Sequence, residues 1–200
     1  MSEYKFTKDW FHWAPEVWTQ LIPMIPGEPG DRQFLEIGSF EGRSSVWIAE
    51  NMMQDGDELR CIDTWEGGEE HGAEDMGTVE DRFRHNLIVA AEKFPRRRIF
   101  QCPGTSTRRL ADLIHYDGPH QFDFIYIDGS HIAKDVLTDA CMAWPLLKPK
   151  GIMVFDDYLW GNPRDVLHRP KAAIDAFTTI FAEEAEIVHV GYQLAVRKKA

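Results

Sequence analysis

Cysteine is scarce in this chain. Three occur in 200 residues, Cys61, Cys102 and Cys141, each inside an apolar run and none at the close spacing of a zinc ribbon or redox pair. That excludes a disulfide scaffold, and the thiols are expected to be reduced core residues of a cytosolic protein. Positive charge is also in short supply: 22 Lys and Arg stand against 33 Asp and Glu, a net charge of −11 at pH 7. Such a balance opposes sequence-independent attraction to a phosphate backbone, so nucleic acid is not an expected partner. Long hydrophobic runs are missing too. The opening MSEYKFTKDWFHWAPEVW mixes charge with aromatics, and no later segment reaches transmembrane length, so neither a membrane partner nor an export signal is expected. No internal repeat or low-complexity linker divides the chain, whose length suits one domain burying roughly 70% of its unfolded surface.

What is present is alternation. QFLEIG (33–38), ELRCID (58–63), RIFQC (98–102), FDFIYID (122–128) and GIMVFDD (151–157) are short apolar runs, and their near-continuous hydrophobicity predicts parallel strands covered on both faces. Between them, Phe83, Leu87, Ile88, Ala91 and Phe94, then Val136, Ala140, Cys141, Trp144 and Leu147, then Ile174, Phe177 and Phe181, recur at helical spacing and are expected to face the sheet. EIVHV and YQLAV, either side of Gly191, predict a closing antiparallel hairpin. The expected class is therefore α/β, a mostly parallel sheet between helical layers. Residues 1–30 read as a helical and aromatic extension, 33–157 as the core, and 158–200 as an acceptor loop, last helix and hairpin. The acidic, glycine-containing stretch 65–77 reads as a mobile loop, and 157–170 as a second long loop. Both leave carboxyl ends of strands, where open α/β sheets place their ligands.

FLEIGSFEGRSS puts Glu36 at a strand end and follows it with Gly38, Ser39, Gly42 and Ser44 before a helix. Glycines there let the backbone turn sharply and let a ligand come close. The spacing E-x-G-x-x-x-G is not the G-x-G-x-x-G of a dinucleotide site. Alone, the segment reads equally well as a tight βα turn. Asp63, closing the second strand, can accept both hydroxyl hydrogens of a ribose or cap a loop. Trp65 can stack on adenine or simply pack, and Gly104, Thr105 and Ser106 can meet the adenine edge or cap the following helix. Taken together, these residues resemble the class I S-adenosylmethionine-dependent methyltransferases. That resemblance implies a three-layer Rossmann-like sandwich, the methionine part of the cofactor near Glu36, Gly38, Ser39 and Ser44, its ribose on Asp63, and its adenine near Gly104, Thr105 and Ser106.

Asp128 ends the fourth run, and Asp156 and Asp157 end the fifth. On neighbouring parallel strands, about 4.8 Å apart, three carboxylates would repel unless a hard cation joined them. Mg²⁺ or another divalent ion suits such a set, with the remaining positions left to water or substrate oxygens. The trio is similar to the metal site of O-methyltransferases related to catechol O-methyltransferase and to the macrolide-sugar and aminocoumarin-sugar enzymes. The catechol enzymes carry a lysine base three residues after the first acid, whereas this chain has His131 there, which reads as either the proton acceptor or a polar opener of the next helix. The resemblance implies methyl transfer to a hydroxyl of a small molecule, a sugar or natural-product diol, with Asp128 and His131 in catalysis and the pocket walled by the N-terminal aromatics, Tyr158, Trp160, Arg164 and His168. Two alternatives stand beside it: an NAD-linked oxidoreductase, and a catalytically idle methyltransferase-like domain that binds a partner. Self-association is left open.

Overall fold

Strands form where the apolar runs predicted them. In the computed structural model, which describes residues 3–68, 71 and 75–200, one seven-stranded sheet runs in the order β3-β2-β1-β4-β5-β7-β6. The strands are β1 (Gln33–Ile37), β2 (Glu58–Asp63), β3 (Arg98–Pro103), β4 (Phe122–Ile127), β5 (Leu147–Phe155), β6 (Ala185–Val190) and β7 (Leu194–Lys198). The first five are mutually parallel, while β7 inserts antiparallel between β5 and β6, so the expected hairpin closes the sheet. β5 starts four residues before the run read from sequence, because Leu147 pairs with Phe122 across a register shift that the intervening Lys-Pro-Lys disguises.

The helices are α1 (Ala14–Leu21), α2 (Arg43–Asn51), α3 (Val79–Lys93), α4 (Ser106–Tyr116), α5 (Ala133–Ala143) and α6 (Lys171–Ile180). Side chains alternate across each strand with period two, and the two faces build separate cores. Leu35, Ile37, Ile125 and Ile127 pack under α4, α5 and α6; Phe34, Phe124 and Tyr126 pack under α1, α2 and α3 around Trp18 and Phe83. This is the three-layer sandwich expected. The chain winds from β1 outward to β3, then returns to lay β4 on the other flank of β1. A crevice therefore opens above the carboxyl ends of β1 and β4, the switch point of the topology.

Three expectations are corrected. The buried face of α3 is Val79, Phe83, Asn86, Val89 and Ala90, with Ile88 exposed, because the stripe was read one position out of phase. Cys141 is exposed and Cys102 half-buried, so only Cys61 is a core thiol. The N-terminal aromatics do not share one long helix: α1 has eight residues, and the segment before it lies across α2 and α3 as a strap. Part of the acidic stretch read as a mobile loop, residues 69–70 and 72–74, lies outside the described residues. No helix among the described residues is long and apolar enough to cross a membrane.

Candidate active site

The glycine turn is built by close approach. Gly38 N–H donates to the Ile62 carbonyl at 2.8 Å, and Asp128 N–H donates to the Ile37 carbonyl at 2.8 Å, which cinches the ends of β1, β2 and β4 together. Gly38 has φ +86°, and a Cβ there would lie 1.9 Å from the Asp128 carbonyl oxygen, so no other residue fits. The next turn is fixed by Asp63. Its Oδ2 accepts from Ser39 N–H at 2.7 Å and Phe40 N–H at 2.9 Å, and its Oδ1 accepts from Trp65 N–H at 2.7 Å. A carboxylate offers about four acceptor positions. Three are taken by backbone, which leaves room for one ribose hydroxyl rather than the two expected from sequence.

Seven of the sequence-derived cofactor residues, Gly38, Ser39, Ser44, Asp63, Gly104, Thr105 and Ser106, line one cavity of about 650 Å³. Glu36, Gly42 and Trp65 stand behind its wall. Glu36 is fully buried and accepts from Ser39 Oγ at 2.7 Å and from Ser45 Oγ; burial pushes its carboxyl up while the serine hydroxyls pull it down. Gly42 lies against the Phe83 ring, which a Cβ would meet at 2.9 Å. Trp65 donates Nε1–H to the Phe40 carbonyl at 2.9 Å and packs on Phe83 with centroids 4.7 Å apart, so its ring offers the cavity no face to stack on. These three shape the turn from below.

At the other end the acids converge. One ligand-capable atom each from Asp128, His131 and Asp157 lie within 4.8 Å of one another, and His131 Nε2 is 2.7 Å from Asp157 Oδ2. Asp156, 7% exposed, lines the same cavity but turns toward β4: the Tyr126 hydroxyl donates to its Oδ2 and lies 3.0 Å from Asp128 Oδ2. One hydroxyl proton cannot serve two carboxylates at once. Burial and the neighbouring Asp156 and Asp157 charges push the Asp128 carboxyl well above its ordinary range, and burial with Asp157 raises Asp156 to about 6. Asp157 holds φ +57°, a conformation that costs a non-glycine residue of order 1–3 kcal/mol and that clusters at functional sites. Carboxylates crowded with an imidazole form a donor set that suits a hard or borderline divalent cation.

Several lining residues escaped the sequence reading. Tyr126 looked like strand core, and Tyr192, whose hydroxyl is pushed up by burial and by Asp157, lay hidden in the predicted hairpin. Behind the lining, Gln193 accepts the Trp18 indole N–H at 2.8 Å, tying α1 to the turn between β6 and β7. Lys8, Trp10, Phe11 and Trp13 wall the cavity from the strap, as anticipated for the aromatics. Of the post-β5 residues expected there, Trp160 lines the cavity, with its ring 4.4 Å from His131. Tyr158 instead donates to Asp175 at 2.8 Å, Arg164 is exposed, and His168 pairs with Asp165 at 2.8 Å.

Comparison with known proteins agrees with this geometry. A family model described as a methyltransferase domain matches residues 35–158. Among solved structures, the chain resembles an O-methyltransferase from Bacillus cereus in complex with SAH, at 19% identity and TM-score 0.61, covering 98% of this chain and 84% of that one. It resembles the MycE methyltransferase of mycinamycin biosynthesis, in complex with Mg and SAH, at 17% identity and TM-score 0.59, covering 96% of this chain and 51% of that one. It also resembles CalS11, a TDP-rhamnose 3'-O-methyltransferase of calicheamicin biosynthesis, at 14% identity and TM-score 0.63, covering 92% of this chain and 77% of that one. No curated protein sequence matches. The match over the strands and turns that build the cavity places this chain in the methyltransferase-domain family.

Proposed function

We propose that this chain is a single-domain cytoplasmic enzyme that moves a methyl group from S-adenosylmethionine to a hydroxyl of a small molecule, a sugar or natural-product diol, with help from Mg²⁺ or a similar cation. One observation carries the reading: a single cavity contains both the Gly38 turn clasped by Asp63 and the Asp128, His131 and Asp157 cluster. The SAH held by the Bacillus cereus enzyme, the Mg and SAH held by MycE, and the sugar hydroxyl named for CalS11 support it.

The division of labour follows from the side chains. Asp63, Ser39 and Ser44 receive the donor on the glycine turn, and Asp63 supplies its one open acceptor position. Asp128 and Asp157 would hold the cation, which when bound lowers the pKa of a coordinated hydroxyl and fixes its direction. His131 takes the proton. Its Nε2 contact with Asp157 at 2.7 Å orients the ring. Trp13 and Trp160 cover the acceptor side and exclude water.

Thermal melting with SAH, with Mg²⁺, and with both tests donor and metal separately. Each is expected to raise Tm, and excess chelator is expected to abolish turnover. Full activity in chelator would remove the metal role, and no response to SAH would remove the donor. A His131→Ala variant is expected to keep Mg²⁺ stabilisation and lose turnover at neutral pH. Loss of both would move His131 into the metal set.

A further inference from the structure

The loop after β5 folds back on itself before α6, and the side chain inside the fold is charged. Residues 161–168 are exposed, whereas Arg169 is 7% exposed. Its stem starts against Gly161, where an added Cβ would lie 3.2 Å from the Arg169 Cβ. Gly161 follows Trp160, which lines the cavity with its ring 4.4 Å from His131. On the other side, the Leu167 carbonyl accepts from Ala133 N–H at 2.9 Å, which ties the same stretch to the start of α5, two residues after His131. Arg169 therefore sits directly behind the acceptor wall. A guanidinium taken out of water without a partner is costly, and among the described residues no partner is supplied. Its Nε is enclosed and finds no acceptor. The carboxylates on this loop and at the starts of α5 and α6 are engaged elsewhere: Asp157 with His131 at 2.7 Å, Asp165 with His168 at 2.8 Å, Asp135 with Ser130 Oγ at 3.1 Å and Asp175 with Lys171 at 2.7 Å.

The backbone adds positive charge at the same place. Ala133 opens α5 and is bonded to the loop, and Pro170, next to Arg169, is the N-cap of α6. Neither helix start is capped by a side chain, since Ile132 and Pro170 have no oxygen to offer. The amide ends of two helices thus flank one unpaired guanidinium, in a chain whose net charge is −11. We infer that Arg169, between the starts of α5 and α6, forms a subsite for an oxyanion, so that the acceptor is an acidic molecule whose phosphate or carboxylate is held there while its hydroxyl faces His131. The planar fork of a guanidinium matches either group. The inference rests on the acceptor side proposed above, and names the class of molecule that side takes.

Thermal melting of the full chain without Mg²⁺, titrated with sodium phosphate and with sodium acetate against sodium chloride at matched ionic strength, tests it. The wild type is expected to be stabilised by phosphate, by acetate or by both beyond chloride, and the stronger response tells a phosphorylated acceptor from a carboxylic one. Arg169→Gln is expected to raise the half-saturating concentration roughly 10- to 100-fold, because a charge-assisted pair is lost. Arg169→Lys keeps the charge without the fork and reads the same subsite should the first variant fold poorly; its expected loss is about three- to tenfold. Arg164→Gln, exposed on the same loop, is expected to stay within about twofold of the wild type. A wild type that responds no more to phosphate or acetate than to chloride overturns the subsite. So does an equal response in a folded Arg169 variant, which marks a general effect of the salt on the protein surface, or an equal loss in Arg164→Gln. The SAH melt reads the methyl donor separately: a wild type that ignores SAH but answers to phosphate through Arg169 overturns the proposed function and leaves the oxyanion subsite standing.

Discussion

Asp63 and Asp128 are the same residue at the same kind of place, the carboxyl end of a parallel strand beside the same crevice, yet the structure treats them oppositely. Asp63 is surrounded by amides: three backbone N–H groups at 2.7–2.9 Å solvate its charge and lock two turns. Asp128 is surrounded by other acids, with Asp156 across the Tyr126 hydroxyl and Asp157 beyond. A carboxylate fed by three amides is largely satisfied and serves as scaffold, with one position left for a ligand. A carboxylate crowded by carboxylates is incomplete until a proton or a cation arrives. The two ends of one cavity thus divide into a part shaped before any ligand comes and a part that asks for one.

Separate substitutions should pull these ends apart. Asp128→Asn is expected to have the largest effect, lowering Mg²⁺-dependent turnover by roughly 10³-fold, since it removes a ligand from the charge-stabilising cation. SAH binding should survive, and the cation-free variant should melt above the wild type because a repulsion has gone. Equal losses of SAH and Mg²⁺ binding would break the division. Asp63→Ala should do the reverse. It strands three amide donors, which costs about 2–4 kcal/mol in urea unfolding, and it should abolish SAH stabilisation. The strap provides the next step down. Glu41, 2% exposed, accepts Thr7 N–H and Thr7 Oγ–H at 2.6 Å and Arg82 at 2.5 Å, which pins the segment carrying Lys8 and Trp10 over the donor end. Glu41→Ala is expected to weaken that anchor by about 2 kcal/mol and so speed tryptic cleavage after Lys5 and Lys8 roughly 30-fold. Unchanged cleavage would mean that the strap is held elsewhere.

The scaffold end was more legible in the sequence than the polar lining. Apolar runs and glycine spacing are local signals, so β1, β2, the Gly38 turn and Asp63 could be read without coordinates. Strand-end acids are local too, which is why Asp128, Asp156 and Asp157 were singled out. Their pairing was not legible. Whether Asp156 faces the cation side or Tyr126 depends on a strand neighbour 30 residues away, and Asp157 adopts a left-handed turn that no residue type announces. Trp65 was misassigned because an aromatic at a loop base reads the same whether it meets a ligand or Phe83. Tyr192 and Gln193 arrive from the hairpin because β7 inserts beside β5. Asp139 did leave a trace, a charged residue three positions after Val136 and next to Ala140 on an otherwise apolar stripe, and weighing that misfit would have found it.

Asp139 also supplies the smallest test of the comparison, because it is a third acid of the incomplete kind, buried on α5 beside the cavity end that Asp63 scaffolds. Its carboxyl rises from 3.8 to about 6 on folding. In the unfolded chain it loses its proton near pH 4 and in the folded chain near pH 6, so between those values the native state binds the extra proton and stability falls as pH rises. Below about pH 4 both states are protonated and Asp139 costs nothing; above about pH 6 the full cost of burying its charge is present. Asp139→Asn removes that dependence. The variant is therefore expected to match the wild type in urea unfolding at low pH and to exceed it above pH 6, by a margin that opens between those values. A gap that stays constant across the range would mean that folding leaves the acidity of Asp139 unchanged, and that the donor end holds no acid of the incomplete kind.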